Sequence, residues 1–245
     1  MEEDADEFNE AFLGFLLNLH GAKDKAVRFR ACQIIAGVLN GLGADAEVSD
    51  ELYERMTDVM LERIRDKMPP VRAQAARALS RLQDGGETQD FSQDDITQAF
   101  VELLGSEKNK EVRKAILGSL AISDYTIPCV VERTRDVAED VRRIAFLALT
   151  SKVPVESVSI AHRALVLRRG LNDRAPMVRS ASVEMLKRWL EAFQGDVVKF
   201  LTALDVESNE SEAELALKEL LSLIHISEPT RPERIADGGV GVKKK

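Results

Sequence analysis

Apolar positions recur at i, i+4 and i+8 five times along the 245-residue chain, each time starting from a Val-Arg pair. The pairs are Val27-Arg28, Val71-Arg72, Val112-Arg113, Val141-Arg142 and Val178-Arg179. Four residues after each valine stand Ala31, Ala75, Ile116, Ala145 and Ser182. Eight residues after it stand Ile35, Leu79, Leu120, Leu149 and Leu186. Residues at this spacing share one helical face, so the same amphipathic helix is written repeatedly. Turn residues precede most pairs, as in Asp66-Lys67-Met68-Pro69-Pro70 and Asn172-Asp173-Arg174-Ala175-Pro176. An acid lies five residues before the valine at Asp66, Glu107, Asp136 and Asp173. Acids in such turns accept the N–H groups of the following helix. An arginine just inside that helix can pair with the acid of its own or a neighbouring repeat. The pattern therefore predicts a ladder of structural ion pairs.

Successive valines are 44, 41, 29 and 37 residues apart. HEAT-type repeats run to roughly 40–47 residues, with two helices each. The chain is thus expected to be an all-α, HEAT-repeat α-solenoid of stacked antiparallel helix pairs. The short third interval leaves little room for a first helix in the fourth repeat. Pro128 suits a helix's first turn, where its missing N–H costs nothing, so that helix should run from Cys129 to about Arg135. Strand signals are scarce; no long alternating run of β-branched residues appears. Solenoids present long surfaces to partners and seldom carry chemistry.

Composition sharpens the picture in two places. The net charge is −8, but its distribution matters more than its total. Residues 1–10 carry six acids and no base, whereas residues 108–190 carry 16 bases against nine acids. An acidic chain can still present a basic groove. Cys32 and Cys129 lie in apolar helix patterns and read as buried free thiols of a reducing compartment. No apolar stretch approaches the ~18 residues of a membrane span, and the acidic start is the wrong flank for a signal peptide.

The pattern stops at residue 221. Leu221-Ser222-Leu223-Ile224-His225-Ile226-Ser227-Glu228-Pro229-Thr230-Arg231 looks like a translated transposase-adapter sequence from DNA library preparation. The expected organisation is a solenoid fragment of about five repeats over 1–221, followed by a non-native, disordered tail over 222–245 that includes Lys243-Lys244-Lys245. The array is then a piece of a longer solenoid.

Several strings resemble one family, the condensin subunit 3 proteins. They are Lys25-Ala26-Val27-Arg28-Phe29-Arg30-Ala31-Cys32-Gln33, then Asp66 to Arg72 running on to Ala78-Leu79-Ser80-Arg81-Leu82-Gln83-Asp84. Further on come Val130-Val131-Glu132-Arg133-Thr134-Arg135-Asp136-Val137, then Gly170-Leu171-Asn172-Asp173-Arg174 with Trp189-Leu190, and Phe200-Leu201-Thr202-Ala203-Leu204-Asp205-Val206-Glu207-Ser208. The resemblance implies a non-catalytic subunit that binds the kleisin of condensin and, through it, the SMC ATPases. It also implies a grip on double-stranded DNA without sequence specificity, in mitotic chromosome condensation. It places such a subunit in the nucleus and on chromosomes, and in the cytoplasm for part of the cell cycle.

Phosphate contact needs lysine and arginine arrayed along the second helices. The candidates are Lys25, Arg28, Arg30, Lys108, Lys110, Arg113, Lys114, Arg142 and Arg143. Among them the arginines after valine are expected to be structural, and the off-register bases to be the better phosphate ligands. Tyr125, Phe146 and Trp189 could line kleisin pockets or form core between repeats. His20 and His162 have no paired carboxylate or cysteine at metal-ligand spacing. No phosphate loop, nucleophile elbow or metalloprotease helix appears, so no enzyme, cofactor, metal or small-molecule substrate is expected. The competing reading is a generic HEAT scaffold of phosphatase or transport-receptor type.

Overall fold

The computed structural model describes residues 2–42, 48–84, 86 and 90–227. Twelve α-helices follow one another: α1 Glu2–Asn18, α2 Lys25–Gly41, α3 Asp50–Arg63, α4 Pro69–Leu79, α5 Asp95–Ser106, α6 Lys110–Ser119, α7 Ile127–Arg133, α8 Glu139–Ser151, α9 Ile160–Leu171, α10 Pro176–Ala192, α11 Val197–Ala203 and α12 Glu210–Ser227. Odd and even helices pair into five repeats from α1/α2 to α9/α10. Each Val-Arg pair opens an even helix. Those second helices pack on one another in order, α2 on α4, α4 on α6, α6 on α8 and α8 on α10, while the first helices touch one another much less. The second helices therefore form one continuous packed layer.

The i, i+4, i+8 register is the core. Val71, Ala75 and Leu79, Val112, Ile116 and Leu120, and Val141, Ala145 and Leu149 are all buried. Val178 and Leu186 are buried with Ser182 between them. In the first copy only Ala31 and Ile35 are buried. Val27 stays 36% exposed because no earlier second helix of this chain covers α2. Phe146 and Trp189 are core side chains, and Tyr125 is half-exposed. The short first helix of the fourth repeat is α7, with Pro128 in its first turn.

The chain's end departs from the simple array. α12 packs beside α9, in the first-helix layer, rather than on α10. Arg168 of α9 faces Glu212 of α12 at 3.5 Å. α11 is therefore a seven-residue insert, and α12 takes the place of a sixth first helix. α12 continues to Ser227, so the expected boundary at 222 falls inside a helix. The remainder of the expected tail, 228–245, lies outside the described residues. Among the described residues no helix is long and apolar enough to cross a membrane.

Candidate functional site: an arginine ladder beside a polar groove

The ladder holds each repeat to the next. Nε and Nη2 of Arg28 donate to Asp66 at 2.8 and 3.2 Å. Arg72 reaches Glu107 at 2.7 and 2.8 Å. Arg113 reaches Asp136 at 2.8 and 2.7 Å, and Arg142 reaches Asp173 at 2.6 and 2.9 Å. Nη1 turns back to the loop before its own helix, as from Arg113 to the carbonyls of Glu107 and Lys108 at 3.0 and 2.9 Å. Each acid in turn accepts a backbone N–H two residues on: Met68, Asn109, Ala138 or Ala175, at 2.7–2.8 Å. That bond explains how α4, α8 and α10 start without a capping side chain at Met68, Ala138 or Ala175. One carboxylate thus fixes a helix start and an inter-repeat contact together.

Burial alone would raise the carboxyls of Asp66, Glu107, Asp136 and Asp173. The arginine and backbone N–H bonds outweigh it and hold all four below the usual carboxylate range. Their folded pKa values then lie below the unfolded ones, so the unfolded chain binds more protons in acid. Stability should be constant from pH 7 to about 5 and fall as pH drops below about 4, where unfolded carboxyls protonate. Urea midpoints across that range check this; a midpoint that rises on acidification would exclude it.

These bonds correct three of the nine sequence candidates. Arg28, Arg113 and Arg142 have their donors committed to carboxylates and carbonyls, and Arg113 and Arg142 are buried. A guanidinium has five N–H donors in a fixed fork, and too few are left here to hold a phosphate. Arg179 is the exception in the ladder. It donates to the carbonyls of Asp173 and Arg174 at 2.6 and 3.2 Å, is exposed, and meets no carboxylate among the described residues.

The other six candidates are exposed, or partly exposed in the case of Lys114. Lys25 and Lys110 begin α2 and α6, and Lys108 sits in the turn before α6. Arg30 lies 5.6 Å from the Phe29 ring centroid and donates to Gln33 at 2.6 Å. Lys110 bonds Asp140 of the next repeat at 3.0 Å. That bond and charge hold the Asp140 carboxyl low, and Lys114 and Arg143 add to the effect. Lys114 is itself bonded to Glu111 of its own helix at 3.1 Å.

A groove of about 620 Å³ runs across α2, α4, α6 and α8, lined by Gln33, Asn40, Gln74, Arg77, Glu111 and Lys114, among others. Arg77 is a groove residue that the sequence reading missed. Its signal was present: Gln33, Arg77 and Gly118 each stand six residues after a repeat valine, and all three line the groove. Part of the basic excess over 108–190 is structural instead. Arg163 donates to the carbonyls of Val155 and Ala203 at 3.0 and 2.6 Å, and Arg169 to that of Val131 at 3.0 Å.

Cys32 is buried, Cys129 is half-buried, and both are free. Burial pushes the Cys32 thiol up to about 11. No cluster of metal-ligating side chains occurs among the described residues.

Repeated helix pairs, a ladder that staples them and a polar groove along the second helices define a HEAT-repeat solenoid, and the HEAT-repeats family profile matches residues 57–150. The relatives narrow this. Condensin complex subunit 3 of Xenopus laevis is 39% identical over 231 residues, covering 93% of this chain and 22% of the relative. The Homo sapiens protein of the same name is 38% identical, with 93% and 23% covered. The crystal structure of the S. pombe condensin Cnd3-Cnd2 subcomplex contains a chain similar at a TM-score of 0.81 and 34% identity, covering 89% of this chain and 28% of that one. The chain belongs to the condensin complex subunit 3 family and spans about a fifth of the length of the curated relatives it matches.

Proposed function

We propose that this chain is the DNA- and kleisin-binding part of a condensin HEAT subunit. It is non-catalytic and acts with the SMC ATPases in mitotic chromosome condensation, on chromosomes in the nucleus and in the cytoplasm for part of the cycle. The observation that carries the reading is the match, at 34% identity over 89% of the chain, to a structure of Cnd3 with Cnd2. The site supports it physically. Lys25, Arg30, Lys108, Lys110, Lys114 and Arg143 are exposed or partly exposed bases on or just before the second helices α2, α6 and α8. Such an array suits a regular phosphate backbone, and it holds none of the features that read base edges. Binding is then electrostatic, indifferent to sequence and steeply dependent on salt.

Asp140 restrains the basic cluster. It holds Lys110 and lies in the field of Lys114 and Arg143. Substituting D140N should free Lys110 and remove a negative charge near Lys114, which stays bonded to Glu111 at 3.1 Å, and Arg143, and so tighten duplex binding several-fold at low salt. The double substitution K114E/R143E should weaken it and lower the logarithmic salt slope by about two units. Fluorescence anisotropy with a labelled duplex of about 30 bp reads both. Equal affinity for wild type and K114E/R143E would remove this cluster from the DNA path and favour a protein-binding scaffold.

A further inference from the structure

The turns before the second helices share one geometry. In each, the ladder arginine donates back to the carbonyl of the residue four before its valine: Lys23, Lys67, Lys108, Val137 or Arg174, at 2.9–3.5 Å. That bond fixes the main chain and leaves the side chain to solvent. Lys23, Lys67, Lys108 and Arg174 are all exposed there. The fourth repeat instead places Val137, which is 86% exposed. The turn does not need an apolar residue, since its other copies do without one.

Val137 is not isolated. With Arg135 and Arg174 it lines a shallow cavity of about 320 Å³ over the Arg142–Asp173 rung of the ladder. Met177, in the first turn of α10, is exposed. So is Arg179, which meets no carboxylate among the described residues. Nearby acids offset only part of this charge. Glu132 is 3.5 Å from Arg135, Glu139 opens α8, and Asp173 is committed to Arg142. The edge of the fourth and fifth repeats is therefore apolar and cationic together. A phosphate backbone has no use for Val137 and Met177. An acidic polypeptide with apolar anchors uses both kinds of group.

This chain carries such a surface. Residues 1–10 hold six acids and no base. On α1, Phe8, Ala11 and Phe15 share one helical face by their spacing, and all three are exposed, Phe8 at 66%. Phe8 stacks on Phe12 with ring centroids 5.8 Å apart, which holds an aromatic ring in the open. The two surfaces lie three to four repeats apart, roughly 25–40 Å at 8–10 Å per stacked helix. One copy cannot close on itself.

We propose that the acidic, phenylalanine-bearing face of α1 in one copy docks on the Val137–Arg174 edge of a second copy. Phe8 and Phe15 cover Val137 and Met177, and the acids of residues 1–10 face Arg135, Arg174 and Arg179. The two surfaces differ, so the contact runs head to tail and extends into an open row. It goes beyond the DNA and kleisin reading and uses none of the bases assigned there to the duplex.

Sedimentation velocity of the full chain tests this, in a series up to about 200 µM that suits a small, weak contact. The samples are wild type, F8S/F15S, R135E/R174E and an equimolar mixture of the two variants. All the substituted side chains are exposed, so unfolding midpoints should match wild type. Wild type should sediment faster as its concentration rises, and less so when salt goes from about 50 to 500 mM. Either variant alone should associate at least about tenfold more weakly, because each lacks one side of the contact. The mixture should form a heterodimer and nothing larger, since only one complementary pair of surfaces survives in it. A wild type that stays monomeric throughout would overturn the inference. So would a variant that self-associates as wild type does, or a mixture that stays monomeric. Loss of 30-bp duplex affinity in R135E/R174E, with wild type monomeric, would also overturn it and give the edge to DNA.

Discussion

Replacing Arg113 with methionine should cost the fold about 3–5 kcal/mol, the usual result of removing one partner from a buried ion pair. Its side chain is 6% exposed and that of Asp136 only 2%. Methionine fills much of the same volume but leaves the Asp136 carboxylate without its two strongest donors. The other donors to that carboxylate, Ala138 N–H at 2.8 Å and Arg133 at 3.4 Å, cannot replace them. The double variant R113M/D136N should recover at least about 1 kcal/mol, since asparagine keeps the acceptor for Ala138 and removes the stranded charge. Arg179 provides the internal control. It occupies the same motif position but is exposed and lacks a carboxylate partner among the described residues. R179M should therefore cost under about 1 kcal/mol. Chemical unfolding of the four proteins measures all of this. Similar losses for R113M and R179M would show that the loop carbonyl bonds, not the ion pairs, stabilise the array.

The second large effect is at Gly170, the one close approach among the described glycines. A methyl group there would overlap Ser182 Oγ, and would sit 2.5 Å from Ser182 Cβ and 2.6 Å from a ring carbon of Phe146. Helix propensity alone would make G170A stabilising by up to about 1 kcal/mol. Overpacking reverses the sign, at a cost of about 1–3 kcal/mol, because the obstructing atoms are a Cβ and a core ring rather than a mobile side-chain end. Tm should fall by about 2–9 °C for a chain of this length, and adding S182G should restore part of the loss. A G170A protein as stable as wild type would show that α9 can shift away from α10 without cost.

Much of the fold was legible because the repeat writes its core in one register. The valine, the residue four on and the residue eight on mark each second helix, and the acid five residues earlier marks its start. The ladder was legible in kind, since acid and arginine recur at fixed offsets. Its direction was not, because own-repeat and next-repeat pairing leave the same sequence spacing. The structure shows that Arg28, Arg72, Arg113 and Arg142 each bond the acid of the following repeat, as from Arg72 to Glu107. α12 was not legible as a first helix because the seven-residue α11 carries no signal separating an insert from a repeat partner.

The binding surface was less legible than the core. Six of the nine candidate bases remain at the surface, but Lys25, Lys108 and Lys110 sit at helix starts while Lys114 lines the groove. Arg77 escaped attention because it stands in the exposed register, where charge usually means only solvation. The same register, six residues after the valine, contains Gln33 and Gly118. A groove is written in the positions that alternate with the core, where residue type is least constrained by packing.

The most direct test of the functional reading is the affinity of the full chain for a 30-bp duplex across a salt series, with and without a kleisin fragment. The reading predicts binding that ignores base sequence, weakens steeply as salt rises and tightens when kleisin is present. A folded sample that binds no duplex at low salt, even with kleisin bound, would contradict it and leave a protein-binding solenoid alone.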